Sequence, residues 1–384
     1  MKPIRLAVLG STGSIGRQTL EVVRSLPGRF NVIALAAGGN VTLLEEQVRE
    51  FRPRYVCAGR EADYLMDRVG TRGQAARWAE MEEIAAHPDV DLVVVATVGS
   101  AGLEPTLAAV RAGKAVALAN KEVLVMAGHI ITAEARRSRA ELRPIDSEHS
   151  AIWQCLWGED RDSIERIIIT ASGGPFRDTP LQELARVTAQ EALRHPNWQM
   201  GQKITVDSAT LLNKGLECIE ARWLFDVPLE RIDVILHRES IVHSLVEFCD
   251  GSLKAQLSIP DMRLPIQCAL TYPGRLPGVS VPRLDLKLIG TLTFGKPDTK
   301  QYPCLVLALE AGRRGGSCPA VLAAADEIAV QHFLAGHIRF PDIAHIVSDA
   351  LNSHRPLANP SLDEVLHADA WARSYTEDWV KAKA

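Results

Sequence analysis

The chain has no excess of basic charge: 43 Lys and Arg stand against 47 Asp and Glu, a net charge of −4 over 384 residues. A binder of nucleic-acid backbone needs a basic face, so any anion site here must be local and built from a few residues. Long apolar runs are missing too. Those present, such as Leu92–Ala96, fall far short of the roughly 20 residues that span a bilayer. The N-terminal MKPIRLAVLGSTGSIG has a charged start and an apolar run, but the run is short and enters a glycine loop. A first β-strand explains it better than a signal peptide. The seven cysteines are scattered and include no C-x-x-C pair. That excludes a disulfide framework or a zinc site and fits reduced thiols in a cytoplasm. No internal repeat or low-complexity tract is present.

What is there is ordinary globular composition, 47% hydrophobic and 23% charged, with length for two or three domains. Residues 1–150 alternate short apolar runs with helical patterns; the predicted strands are Arg5–Leu9, Asn31–Ala36, Tyr55–Ala58, Leu92–Thr97, Ala115–Ala119 and Arg143–Ile145. Near-continuous apolar strands joined by helices indicate a doubly wound parallel α/β sheet, covered on both faces. Residues 151–275 read as a second, α+β domain. Its predicted strands are Arg166–Thr170, Val234–Leu236, Ile241–Phe248 and Leu253–Leu257, the last two flanking an Asp250-Gly251 turn. Residues 276–303 lie in a Pro- and Gly-rich linker, and residues 304–384 form a helical domain with a structural role.

The most informative stretch is KITVDSATLLNKGLE, Lys203–Glu217, read as a strand-to-helix segment. Asn213, Lys214 and Glu217 share one helix face by their i,i+3 and i,i+4 spacing. Ser208 is placed near the start of that helix, where a hydroxyl and open backbone N–H groups suit a phosphate. A capped surface helix with an ordinary Lys–Glu pair is the bland alternative.

Gly10-Ser-Thr-Gly13-Ser-Ile-Gly16 lies between a strand and a helix, which suits close approach of a pyrophosphate. The end of the second strand reads Ala36-Ala37-Gly38-Gly39-Asn40 and holds no acid for a ribose hydroxyl, which favours NADP over NAD. In PIDSE, Asp146 and Glu148 alternate to one side of a strand end. With Glu217 they make an oxygen donor set suited to Mg²⁺ or Mn²⁺. Ala119-Asn-Lys-Glu-Val123 follows another strand, and Thr170–Phe176 (TASGGPF) reads as an anion nest or a plain turn. In His195–Gly201 (HPNWQMG) a Trp on a loop fits a lid, with a core Trp as the competing reading.

These segments together closely resemble the 1-deoxy-D-xylulose 5-phosphate reductoisomerase family, through GSTGSIG, ANKE, IDSEHSA, ASGGPF and HPNWQMGQKITVDSATLLNKGLE. The resemblance runs over essentially the whole length. It implies a Rossmann-like N-terminal domain, a central catalytic domain and a helical C-terminal domain, commonly as a cytoplasmic homodimer. It implies NADPH- and metal-dependent conversion of 1-deoxy-D-xylulose 5-phosphate to 2-C-methyl-D-erythritol 4-phosphate, in isoprenoid biosynthesis. By motif match, Asp146, Glu148 and Glu217 are metal ligands. Ser172, His195, Ser208, Asn213 and Lys214 are substrate and phosphate contacts, and Ser147 and Lys121 touch its reacting end. Thr12, Gly13, Ser14, Ile15, Gly38, Asn40, Asn120, Glu122 and Gly201 are cofactor contacts, and Trp198 is a flap. Lys121, Glu148 and His195 are the catalytic candidates. Many relatives carry a basic residue where this chain has Gly39; Arg60 is the candidate substitute for pairing with the 2′-phosphate.

Two other classes compete with this reading. A semialdehyde dehydrogenase needs a reactive cysteine in a polar loop, and Cys155 in AIWQCLW reads as an apolar helix face. A nucleotide sensor accounts for the first domain only.

Overall fold

The computed structural model describes residues 2–59 and 76–383. Arg60 lies outside the described residues. By internal contacts the chain divides into two compact units. One comprises described residues within Met1–Val123, His129–Ser150 and Asp261–Pro282; the other, those within Leu124–Gly128, Ala151–Pro260 and Arg283–Ala384.

The first unit is built on a parallel sheet of seven strands. They are β1 (Ile4–Leu9), β2 (Phe30–Ala37), β3 (Tyr55–Ala58), β4 (Arg77–Trp78), β5 (Leu92–Val95), β6 (Ala115–Leu118) and β7 (Leu142–Pro144). The order β4-β3-β2-β1-β5-β6-β7 reverses direction between β1 and β5, the point where doubly wound sheets open a crevice at their strand ends. Leu6, Val8, Leu35, Val56, Val94 and Ala117 enter one core with Leu20, Val22 and Val23 of helix Ser14–Ser25 and Ile266, Ala269 and Leu270 of helix Arg263–Thr271. Burial on both faces is why these strands read as apolar runs rather than alternating ones. The apolar runs gave the strands to within two residues at their ends. Edge strand β4 escaped, because two residues with one half-buried Trp leave no run to detect.

The second unit carries a four-stranded sheet, β11-β10-β8-β9, from β8 (Ile164–Ala171), β9 (Ile232–Leu236), β10 (Val242–Phe248) and β11 (Leu253–Leu257). The pairs β10·β11 and β10·β8 are antiparallel and β8·β9 is parallel. The predicted hairpin turn is present: Gly251 has φ +83° and Asp250 Oδ1 accepts from Ser252 N. Ile167, Ile169 and Val246 pack on Cys218, Ala221 and Phe225 of helix Leu212–Phe225. A larger core joins that helix to Pro303–Arg314, Cys318–Leu334, Phe340–Ser353 and Leu362–Lys383. No described helix is long and apolar enough to cross a membrane.

One local expectation is corrected. Lys203–Glu217 contains no strand; it is two helices, Gln202–Thr210 and Leu212–Phe225, broken at Leu211 with φ +57°. Thr210 Oγ1 accepts from Leu212 N across the break. Ser208 therefore closes the first helix, its Oγ donating to Ile204 O at 3.0 Å, instead of opening the second.

Candidate active site

At the carboxyl end of β1 the glycine loop turns tightly. Gly10 has φ +88°, and a Cβ built on it would stand 2.4 Å from Ala96 O. A Cβ on Gly16 would stand 2.2 Å from Gly10 O, so both positions exclude a side chain. Ser11 is tied down by Gln47, through Ser11 Oγ to Gln47 Oε1 at 2.7 Å and Gln47 Nε2 to Ser11 O at 2.9 Å. Thr12 and Ile15 are half-buried, while Gly13 and Ser14 are exposed at the start of helix Ser14–Ser25. That helix begins at Gly13 with no side-chain cap, leaving its first N–H groups for an anion. Gly38 and Gly39 are exposed, and Asn40 caps helix Val41–Phe51 by accepting from Leu43 N. Nothing lies within 4 Å of a Cβ built on Gly38 or Gly39.

Asn120 follows β6. Its Oδ1 accepts from Val123 N, capping helix Lys121–Ser138, while Nδ2 donates to Thr97 O and Gly99 O. It thereby pins the loop after β5 to the helix that starts at Lys121. Glu122 is half-buried in the first turn. Lys121 is buried, and its Nζ lies 3.0 Å from Asp146 Oδ2 at the end of β7. Asp146 and Glu148 each bring a carboxylate oxygen within 4.8 Å of the other. Ser147 Oγ donates to Glu148 Oε2. Ser147 and Glu148 open helix Ser147–Cys155, so the expected extended alternation of Asp146 and Glu148 is corrected: a strand-to-helix turn just past β7 gathers Lys121, Asp146, Ser147 and Glu148. Two carboxylates so close repel unless a cation or a proton joins them, and Lys121 supplies one charge.

In the second unit β8 runs into Ser172-Gly173-Gly174. Both glycines have positive φ, +83° and +67°, and a Cβ on Gly174 would stand 2.6 Å from Ser208 O. The loop therefore packs on the last turn of helix Gln202–Thr210. Ser172 Oγ lies 2.9 Å from His195 Nε2 and accepts from Gly174 N. His195 Nδ1 accepts from Asn197 N and Trp198 N. An Nδ1 that accepts leaves the proton of a neutral ring on Nε2, donated to Ser172. Trp198 is half-buried, 6.1 Å from the His243 ring between centroids. Gly201 is exposed and begins helix Gln202–Thr210.

Asn213, Lys214 and Glu217 share a face as the spacing predicts. Lys214 Nζ reaches Glu217 Oε2 at 2.8 Å, and Asn213 Nδ2 donates to Glu217 Oε1. All three are buried, which removes the solvated-face reading. Sequence reasoning missed Arg177 and Tyr302, which brace the loop by donating to Ser172 O and Gly173 O. Neither has a motif signal, since both act on backbone oxygens. Cys155 is buried, which pushes its thiol up to about 11, the opposite of an activated nucleophile.

Three family models match: 1-deoxy-D-xylulose 5-phosphate reductoisomerase over residues 6–128, its C-terminal domain over 142–225, and the DXP reductoisomerase C-terminal domain over 257–375. The reductoisomerase of Pelotomaculum thermopropionicum is 54% identical over 374 residues, 96% of each chain. That of Heliobacterium modesticaldum is 53% identical, covering 98% of this chain and 97% of the other. A crystal structure of DOX-P reductoisomerase in complex with NADPH, fosmidomycin and magnesium superposes with a TM-score of 0.94, at 41% identity over 98% of both chains. The Zymomonas mobilis enzyme in complex with NADPH gives 0.91 at 42% identity, covering 98% of this chain and 99% of that one. With its two-sheet fold and its site motifs in place along the whole match, this chain belongs to the 1-deoxy-D-xylulose 5-phosphate reductoisomerase family.

Proposed function

We infer that this protein is an NADPH- and metal-dependent oxidoreductase that converts 1-deoxy-D-xylulose 5-phosphate to 2-C-methyl-D-erythritol 4-phosphate, in isoprenoid biosynthesis. The observation that carries this is the Asp146–Glu148 carboxylate pair beside buried Lys121, in a chain that matches the reductoisomerases over its length. Residues 1–150 are assigned to NADPH binding, 151–275 to catalysis, 276–303 to a linker and 304–384 to helical bracing. The seven free thiols are consistent with a reducing cytoplasm, and family resemblance supports a homodimer.

The residues fit the implied groups. Gly10 and Gly16 let the loop pack tightly on its own backbone before a helix start with no side-chain cap, an arrangement that suits a pyrophosphate, so the 12–15 loop with Gly38, Asn40, Asn120, Glu122 and Gly201 is proposed to hold NADPH. Asp146, Glu148 and Glu217 are proposed to hold the metal; an all-carboxylate set suits a hard cation. When bound, the ion supplies Lewis acidity to the ketone and its adjacent hydroxyl, and NADPH supplies the reducing equivalent.

The chain's own residues do the rest. The rearrangement breaks and reforms a carbon–carbon bond, which develops negative charge on oxygen. Lys121 Nζ, held by Asp146, is placed to donate to that oxygen. Glu148, hydrogen-bonded by Ser147, is the proposed proton carrier. His195 Nε2–H donates a hydrogen bond to Ser172 Oγ, which turns the serine hydroxyl hydrogen toward a phosphate oxygen. Ser208, Asn213 and Lys214 complete the proposed anion site. Binding energy at this unreactive end can draw the Trp198 flap closed and exclude water.

The test is oxidation of NADPH with 1-deoxy-D-xylulose 5-phosphate, with and without Mg²⁺ or Mn²⁺, repeated with NADH. Metal-dependent oxidation is expected. None from folded, metal-loaded protein would overturn the reading.

A further inference from the structure

Away from the family motifs' ligand face, one cation is shared by two buried acids. Lys203 Nζ lies 2.6 Å from Asp207 Oδ2, one turn on, and 2.8 Å from Asp326 Oδ2 in helix Cys318–Leu334. The Asp207 and Asp326 side chains are 2% and 0% exposed. Around them lie Thr210, the half-buried Glu327 and Cys304, the last a member of the large helical core. Burial raises the Asp326 carboxyl above its usual range, and Lys203 works against that rise. An apolar pair would fill such a site without the desolvation penalty, so stability alone accounts poorly for the arrangement. The geometry does something more specific. Helix Gln202–Thr210 starts after Gly201, just beyond the Trp198 loop, and carries Ser208 in its last turn, against which Gly174 packs. Lys203 ties the first turn of this helix to a fixed point on a second helix, and Asp207 ties the same ammonium one turn along. The Lys203–Asp326 contact thereby ties this helix to helix Cys318–Leu334, while the Lys203–Asp207 pair, internal to the first helix, steadies the ammonium that makes the tie.

We propose that Asp326 is a positioning residue: through Lys203 and Asp207 it fixes helix Gln202–Thr210 so that Ser208 meets the substrate's phosphate. This rests on the reading of Ser208 as a phosphate contact. The test compares Asp326→Ala, Asp326→Asn and Ser208→Ala in the full-length enzyme, measuring KM for 1-deoxy-D-xylulose 5-phosphate, kcat and Tm. KM does not depend on the fraction of active protein, so a residue that serves stability alone lowers Tm and leaves KM where it was. Expected is a rise in KM of about tenfold in Asp326→Ala, smaller in Asp326→Asn, which keeps an acceptor for Lys203, with kcat changed less. Unchanged KM in both Asp326 variants, with KM raised in Ser208→Ala, overturns the proposal. Unchanged KM in Ser208→Ala shows that the phosphate reading is what failed, and the proposal falls with it. If Asp326→Ala does not fold, Asp326→Asn decides.

Discussion

Lys214 Nζ lies 2.8 Å from Glu217 Oε2, with the two side chains 8% and 1% exposed. A buried pair of this kind is costly to break from one side, because the surviving charge is left without its partner. Glu217→Gln keeps the shape and removes the charge. It should abolish metal-dependent turnover and cost about 3–5 kcal/mol of stability. The double variant Lys214→Met/Glu217→Gln should regain part of that stability and none of the activity. Urea unfolding of the wild type, Lys214→Met, Glu217→Gln and the double variant gives the coupling. Near-normal turnover in Glu217→Gln removes Glu217 from the ligand set.

Gly39 stands in open space at the end of β2, with nothing within 4 Å of a built Cβ. Its backbone is not in the left-handed region, so a side chain costs little there. Gly39→Arg should raise the NADPH over NADH preference about tenfold, the scale of one charge-assisted contact to the 2′-phosphate. Tm should not move. The ratio of kcat/KM for the two cofactors is the readout, and an unchanged ratio means that the 2′-phosphate lies elsewhere.

Much of this was legible in the sequence for identifiable reasons. Strands buried on both faces announce themselves as apolar runs, and Asn213, Lys214 and Glu217 share a face because helical spacing requires it. The break at Leu211 is not legible: a left-handed Leu carries no Gly or Pro signal, so the segment reads as a strand and one helix where two helices exist, and Ser208 falls at the wrong end. Asp326 did leave a mark, as one of two adjacent acids with Glu327 in the otherwise apolar AVLAAADEIAV, but only the fold shows Lys203 reaching it. The loop braces Arg177 and Tyr302 bind backbone oxygens, which sequence does not display.

Thiol chemistry separates this enzyme from one with a cysteine nucleophile. Burial pushes Cys57, Cys155 and Cys268 up to about 11, and Cys249 at the hairpin turn is exposed. At pH 8 a thiol titrating near 11 is only about one part in a thousand thiolate. Iodoacetamide at pH 8 should therefore label Cys249 first and leave NADPH oxidation intact, with the site of labelling read by peptide mass. Loss of turnover in step with labelling of Cys155 would bring the dehydrogenase reading back.

Gly16 and Gly38 separate two reasons for glycine near a cofactor. A Cβ at Gly16 would meet Gly10 O at 2.2 Å and Ser11 Cα at 2.5 Å, and both are backbone atoms that cannot swing aside. Gly16→Ala should push the loop out of shape, cost about 1–3 kcal/mol, and raise KM for NADPH at least tenfold. Gly38 has no atom within 4 Å of its built Cβ, so Gly38→Ala should change stability by less than about 0.5 kcal/mol. Any rise in its KM for NADPH then reports contact with the cofactor itself, because nothing in the protein obstructs the added methyl. Thermal unfolding beside NADPH titration tests both. Equal loss of stability in the two variants would mean that chain flexibility, and not the close approach of Gly16 to Gly10, explains the glycines of this loop.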